Sequence, residues 1–293
     1  MSQILVVGDV MTDIIAVPEG PLIKGSDRRA QVRTRPGGSG ANQAVWLGAM
    51  GADVMFAARV GADDLSFYEG FFRQRNVAPA LIADAEQPSG ALVTIVDTDG
   101  ERSFLTDRGA NLNLCPADLP ATLLDGIGMV MVSGYSFFAP KPRTAVRGLL
   151  AEAKARGIAV AIDPASVGFL HEVGPDNFIE WTAGADWLFA NESEAEALCA
   201  VAGFEDQMRV LGQSYATVVI KRGRYGAALG NQDGVKLALS APIVRVVDST
   251  GAGDAFAAGF IASYLADPQE EAALAAGIAA GAKAVQSIGG QPG

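Results

Sequence analysis

Short aliphatic runs recur along this chain, and helical patterns separate them. The first is Ile4 to Val7, ending in Gly8-Asp9. Others fit at Asp53 to Val60, Gly128 to Ser133, Ile158 to Ile162, Ala185 to Ala190 and Thr217 to Lys221. Helices fit at Leu65 to Arg75, Pro142 to Arg156, Asn191 to Ala202 and Glu205 to Gly212. Continuous runs of this kind, without polar alternation, are strands buried on both faces. Strands alternating with helices predict a parallel sheet covered on both sides, an α/β fold. No internal repeat or low-complexity linker divides the chain, so one main domain is expected over residues 1–293.

Two stretches break the rhythm. Ala16 to Arg35 holds Pro18, Gly20, Pro21 and Gly25, then alternates from Arg29 to Arg35. Gly90 to Leu105 carries a second alternating patch with a hairpin signal at Asp99-Gly100. Neither has a helix beside it. Together they predict a small sheet standing off the main domain, with strands inserted at about 12–35 and 89–107. Such a sheet can close over a ligand as a lid, or bury its apolar residues in a dimer.

Charge narrows the function classes. Lysine plus arginine is 22 and aspartate plus glutamate 33, a net charge of −11. That balance repels phosphate backbones and argues against nucleic acid as a partner. An anionic substrate would need a local positive site. His171 is the one histidine, so a serine–histidine triad or a histidine metal site would rest wholly on it. Cys115 and Cys199 are far apart, without metal spacing, and suit a reducing cytoplasm. No basic leader or apolar run long enough for a membrane span is expected.

The most informative junction is Asp248-Ser-Thr-Gly-Ala-Gly-Asp-Ala-Phe256. The run Ile243 to Val247 before it reads as a strand, and an Ala-rich helix opens near Ala252. Free amides of a helix start, with glycines at 251 and 253, form a loop suited to phosphoryl oxygens. Asp254 follows in the first turn, placed to take a proton from an attacking hydroxyl. A capped helix with an acidic first turn is the simpler reading of the same residues.

Other candidates sit where a strand hands over to a helix or loop. Asp13 follows the first strand and could accept hydrogen bonds from sugar hydroxyls. Gly37-Gly38 can hinge, and Asn42 lies near the following helix start. Asp163-Pro164 ends another strand as a turn or a site residue. Asn191 and Glu194 have the spacing of a capping box, and also of a carboxylate beside magnesium-bound water. Lys221, Gly223 and Gly226 form a turn that either faces solvent or approaches a nucleotide.

These pieces, in this order, resemble the ribokinase/PfkB family of carbohydrate and nucleoside kinases over essentially the whole chain. Gly37-Gly-Ser-Gly-Ala-Asn42 with Gly61-Ala-Asp63, and Asp248 to Asp254 with Ala255-Phe256, carry most of the resemblance. It implies a ribokinase-like three-layer α/β/α fold with a mostly parallel central sheet and a small β-sheet lid, which often mediates dimers. It implies Asp254 as base and the amides of Gly251, Ala252 and Gly253 as anion hole. Asp13, Gly38 and Asn42 are then sugar-contacting, and Lys221, Gly223 and Gly226 nucleotide-contacting. Asn191 and Glu194 would position Mg2+ through water. Asp248 and the Thr250 carbonyl match positions that hold K+ in some members, with Val285 to Gly289 completing the shell. Two departures stand out. Met11 replaces the asparagine that ribokinase-like members often carry two positions before the sugar-binding aspartate. The sequence also ends soon after Gly289, where late cation ligands would lie.

The expected activity is ATP-dependent phosphorylation of a hydroxyl on a sugar, sugar acid or nucleoside. A nucleoside kinase would want an aromatic wall, for which Phe104 or Phe137 are candidates. A metabolite sensor that has lost chemistry is the rival from another class. A nicotinamide-dependent dehydrogenase is disfavoured, because Val7 to Thr12 lacks the glycine-rich dinucleotide turn.

Overall fold

The computed structural model describes residues 3–96 and 102–292. Its strands are β1 (Gln3–Val7), β2 (Met11–Pro18), β3 (Ala30–Gly37), β4 (Val54–Gly61), β5 (Val77–Asp84), β6 (Gly90–Val96), β7 (Arg102–Asp107), β8 (Ile127–Ser133), β9 (Ala159–Asp163), β10 (Trp187–Asn191), β11 (Thr217–Lys221), β12 (Ala227–Asn231) and β13 (Gly234–Leu239). Its helices are α1 (Ser39–Ala49), α2 (Leu65–Arg73), α3 (Pro140–Ala155), α4 (Val167–Val173), α5 (Pro175–Thr182), α6 (Glu192–Cys199), α7 (Phe204–Leu211), α8 (Ala252–Ala266) and α9 (Glu270–Ala284).

Nine strands form the large sheet, in the order β13-β12-β11-β10-β9-β8-β1-β4-β5. From β5 to β11 every neighbour is parallel. The β12–β13 hairpin closes one edge with antiparallel pairs. Alternate side chains of each strand go to opposite faces. Ile4, Val6, Phe56 and Phe189 pack with α1, α2, α8 and α9. Leu5, Val7, Val130 and Leu188 pack with α3 to α7. This is the expected three-layer arrangement, and each fully buried aliphatic or aromatic side chain contributes about 1.5–3 kcal/mol of hydrophobic stabilisation.

The small sheet has the order β3-β2-β6-β7. β2 pairs antiparallel with β3 and parallel with β6, and β6 pairs antiparallel with β7. The expected Asp99-Gly100 hairpin lies outside the described residues.

One expected strand is absent. Ile243 to Val247 is irregular, and Ile243, Val246 and Val247 are exposed. The edge position such a strand would need is taken by β13, whose residues the sequence pattern did not mark. Hydrophobicity alone could not distinguish an uncovered apolar loop from a buried strand. β5 and α9 were likewise unmarked: β5 carries Pro79, and α9 is dominated by alanine.

The strand order reverses around β1: β4 and β5 lie on one side and β8 to β11 on the other. Crevices at such a reversal are where open α/β sheets bind ligands. At that point α1 starts against the end of β1. A Cβ on Gly40 would lie 2.6 Å from the Gly8 Cα, and one on Gly8 would lie 2.7 Å from the Gly40 Cα. Both are backbone contacts that no rotamer change relieves. Gly40→Ala is therefore expected to lower stability by about 2 kcal/mol, read by urea unfolding. Gly70→Ala on α2, where a Cβ meets nothing within 4 Å, should instead gain a few tenths to about 1 kcal/mol. A Gly40→Ala protein with wild-type stability would show that the two backbones can separate freely.

Candidate active site

A cavity of about 1000 Å³ opens between the two sheets. Its floor is made by residues at the carboxyl ends of parallel strands: Asp9 after β1, Asp163 on β9, Asn191 on β10 and Lys221 on β11. Its roof comes from the small sheet, through Met11, Asp13, Leu92 and Thr106. The first turns of α1 and α8 meet at its wall. Two helix starts thus direct partial positive charge to one place in an acidic protein.

Asp254, on the first turn of α8, is held by three side chains of α1. Ser39 Oγ donates to Oδ1 at 2.7 Å and Gln43 Nε2 to the same oxygen at 3.2 Å. Asn42 Nδ2 donates to Oδ2 at 3.1 Å. Burial, with help from the charge on Asp163, raises the carboxyl pKa to about 7, against the hydrogen bonds from Ser39 and Asn42 and the pull of Lys221. The carboxylate lines the cavity and does not point into packed hydrocarbon.

The turn before α8 is shaped by its neighbours. Gly251 adopts φ 71° at the N-cap, and no side chain caps the helix. A Cβ there would lie 2.3 Å from the Gly290 Cα. Ser249 to Asp254 all line the cavity, so the first-turn amides border open space. Asp248 stabilises the loop: Oδ1 accepts from Thr250 N and Oδ2 from Gly289 N, each at 2.9 Å. The Val285 carbonyl accepts from Val247 N at 2.7 Å. Trp46 Nε1 donates to the Gly290 carbonyl, and Arg35 Nη1 of β3 to the Ile288 carbonyl. The segment from Val285 to Gly290 therefore ties α8, α1 and the small sheet together.

Lys221 and its neighbours form the second electrostatic group. Its Nζ pairs with Asp163 Oδ2 at 2.9 Å, and both side chains are mostly buried. A Cβ on Gly253 would come within 3.1 Å of that Nζ, so the ammonium sits beside the start of α8. Burial alone would depress the Lys221 pKa. Asp163, Glu194 and Asp254 more than offset this and hold it above its ordinary value. Asn191 and Glu194 form the capping box: Asn191 Oδ1 accepts from Glu194 N at 2.8 Å and Glu194 Oε2 from Asn191 N at 2.9 Å. Glu194 is buried yet lines the cavity, and burial raises its carboxyl pKa to about 7, with Lys221 opposing. Gly223 and Gly226 flank the turn after β11, where Tyr225, Ile243 and Val246 form an apolar mouth.

At the other end, Asp13 stands on β2 opposite Arg35 of β3 and Leu92 of β6. Its Oδ1 is buried without a hydrogen-bond partner. Burial, then the charges on Asp9 and Asp248, raise its pKa to about 7. Asn42 Oδ1 and Gln43 Oε1 are also buried acceptors without donors. Gly38, at φ 97°, caps α1 and borders the same space. Of the catalytic, sugar-contacting, nucleotide-contacting and cation candidates, Asp13, Gly38, Asn42, Asn191, Glu194, Lys221, Gly223, Gly226 and Thr250 to Asp254 line this cavity, and Asp248 does not. Phe104 and Phe137 do not: Phe104 is exposed on β7, and Phe137 packs against Phe178 in the core.

Sequence reasoning missed Ser39 and Gln43, although their spacing from Asn42 places all three on the first helical turns of one face. It also missed Arg108 and Tyr135, which line the cavity from positions outside any motif.

The model of the pfkB family carbohydrate kinases matches residues 1–293. The ATP-dependent ribose-1-phosphate kinase of Halopiger xanaduensis is 30% identical, with 96% of this chain and 91% of that protein covered. The crystal structure of ribokinase from Thermotoga maritima superposes with a TM-score of 0.84 at 24% identity, covering 99% of this chain and 95% of that one. Aminoimidazole riboside kinase from Salmonella enterica, complexed with aminoimidazole riboside and an ATP analog, gives a TM-score of 0.79 at 24% identity over 98% and 95% of the chains. Sequence, architecture and cavity agree: the chain belongs to the pfkB family of carbohydrate kinases.

Proposed function

We propose that the protein transfers the γ-phosphoryl group of ATP to a hydroxyl of a sugar or sugar derivative, with Asp254 as general base. The observation that carries this reading is one carboxylate beside the uncapped start of α8, at the wall of a cavity that also holds unpartnered acceptors. Those acceptors, Asp13 Oδ1 and Asn42 Oδ1, suit the donor hydroxyls of a sugar. The amides of Gly251, Ala252 and Gly253 would receive the charge that develops on the transferred phosphoryl oxygens. Lys221 adds a fixed cation beside them. The mouth formed by Gly223, Gly226 and Ile243 suits a nucleotide base.

The donor set around Glu194 fits Mg2+ held through water, since its carboxylate is shared with Asn191 N and reaches the cavity edge. When bound, the ion neutralises phosphate charge. Asp248 and the Thr250 carbonyl are the K+ candidates; the Asp248 carboxylate already anchors two backbone amides. A cytoplasmic enzyme is implied, Cys115 and Cys199 being free thiols. No helix among the described residues is long and apolar enough to cross a membrane. A homodimer through the small sheet would cover Val17, Val32, Phe104 and Leu105, which are exposed. A nucleoside acceptor is the second reading, favoured by the likeness to aminoimidazole riboside kinase. Phe104 and Phe137 lie outside the cavity, so an aromatic wall for a base would have to come from another lining residue such as Tyr135.

A coupled ADP-release assay over pentoses, hexoses, sugar acids, sugar phosphates and nucleosides, with and without potassium, tests the activity. Release with nucleosides only would favour the second reading. Silence across the panel by a protein that still binds ATP would leave a sensor. Asp254→Asn is expected to lower kcat by about three orders of magnitude while ATP affinity, read by calorimetry, stays within a few fold. Near-normal turnover would remove the base assignment. The base must be ionised, so kcat/KM should fall about tenfold per pH unit below its raised pKa of about 7 and level off above it.

Asp13 predicts an opposite trend in stability. Its folded pKa of about 7 lies above the ordinary 3.8, so the native state binds the extra proton. Stability is then greatest at low pH and declines as pH rises towards the folded value. Asp13→Asn removes that decline. Its melting temperature should exceed wild type at pH 8, with the difference shrinking towards pH 4. An equal difference at both pH values would show that the carboxyl is not desolvated.

A further inference from the structure

Arg108 is a cavity residue that the phosphoryl-transfer scheme does not use. β6 and β7 pair Ala91 with Asp107, and β2 and β6 pair Met11 with Gly90. Arg108 follows directly after β7, where the backbone turns to helical angles (φ −81°, ψ −15°). Leu92 pairs with both Asp13 and Thr106, and these three also line the cavity. Arg108, one residue beyond the end of β7, lines the same cavity. The cavity thus holds the Asp13 carboxyl on β2 and the Arg108 side chain just past the end of β7, two strands away in the small sheet.

The guanidinium is poorly matched by the protein. Among the described residues its hydrogen bond goes from Nη1 to the Tyr135 carbonyl at 2.7 Å, and its plane approaches the Tyr135 ring at 5.3 Å. No carboxylate among the described residues pairs with it, although Asp9 lies near enough to favour its charge. Burial pushes its pKa below the ordinary value, the reverse of Arg59, which two aspartates clasp. A mostly desolvated cation with spare donors, opening into a cavity, is a site for an anion. Met11, which like Arg108 lies against Gly90 and lines the cavity, offers a thioether and no donor or strong acceptor. This end of the cavity therefore favours a charged group over a further hydroxyl.

We infer that Arg108 forms an anion subsite at the acceptor end, and that the acceptor is a monosaccharide already bearing a phosphate or carboxylate group. The inference rests on the phosphoryl-transfer reading of the cavity. Asp13 would hold hydroxyls of the ring while the guanidinium grips the charged substituent in a bidentate pair, which also sets the ring's register against Asp254.

The test compares ribose, fructose and adenosine with ribose 1-phosphate, ribose 5-phosphate, fructose 6-phosphate and gluconate. Both ADP release and calorimetric binding are measured, for wild type, Arg108→Ala and Arg108→Lys. At least one anionic sugar is expected to exceed its neutral counterpart about 100-fold in kcat/KM or affinity. Arg108→Ala should raise the KM or Kd of that sugar about 100-fold without changing the melting temperature, and Arg108→Lys should recover part of the loss. The phosphate and gluconate arms show which anion is read. Preference for a neutral sugar or adenosine overturns the inference and leaves phosphoryl transfer standing, as does an anionic sugar whose binding ignores Arg108. Failure of every anionic member to bind overturns it too. Binding that depends on Arg108, without ADP release from any member, supports the subsite and instead sinks the transfer reading.

Discussion

Three carboxylates crowd around one ammonium at the ends of β9, β10 and β11 and the start of α8. Asp163, Glu194 and Asp254 share Lys221, and the balance is negative. At an effective dielectric near 20, unit charges 4 Å apart interact by about 4 kcal/mol, so the excess cannot be ignored. Burial first, and then the charge on Asp163, raise the pKa values of Glu194 and Asp254 against the pull of Lys221. The group is an incomplete charge set that a divalent cation and its phosphate oxygens would complete. On the proposed reading, a chain of net charge −11 would accept a polyanion because helix starts and Lys221 offset part of this local negative charge and a cation carried by the nucleotide would supply the rest.

The fold supplies the spacing. Neighbouring parallel strands lie about 4.8 Å apart, so residues ending successive strands are placed within charge–charge reach without any long side chain. Asp163, Asn191 and Lys221 occupy such successive ends. α1 and α8 then close on each other, and the Asp254 carboxylate is fixed by three donors from one helical face. If Asp254 is the base, as proposed, fixing it in this way would lower the motion it must stop before reaction, a form of preorganisation. The small sheet is joined to this frame through Arg35 and the Val285 to Gly290 segment, so acceptor and phosphoryl ends share one support.

Much of this was legible in the sequence, for a physical reason. Buried parallel strands must be apolar on both faces, so β1, β4 and β8 to β11 announce themselves. Glycine junctions do the same, since Gly251 faces the Gly290 backbone and Gly40 faces Gly8. What remained hidden depends on contacts between distant residues. Lys221 and Asp163 are 58 positions apart, and Asp254 and Ser39 are 215 apart. No local pattern links them. The run Ile243 to Val247 misled because apolar composition reports a tendency to be buried, while burial here awaits whatever fills the cavity mouth. Arg108 carried no motif; its place in the cavity exists only once β2, β6 and β7 pair and bring the end of β7 to the cavity wall.

Two of the buried acceptors without donors, Asp13 Oδ1 and Asn42 Oδ1, belong to residues that line the cavity, and a third, Gln43 Oε1, is next to Asn42 on α1. A buried polar atom left unpaired costs about 1–3 kcal/mol, so this corner lowers the stability of the free protein. Asp13 belongs to the small sheet, while Asn42 and Gln43 belong to α1 under the large one. A ligand that donates to both would relieve the penalty only when the two sheets hold it between them. On the proposed reading, such a ligand would couple Asp13 of the small sheet to Asn42 of α1 and offset the cost of these unpaired acceptors in the free state.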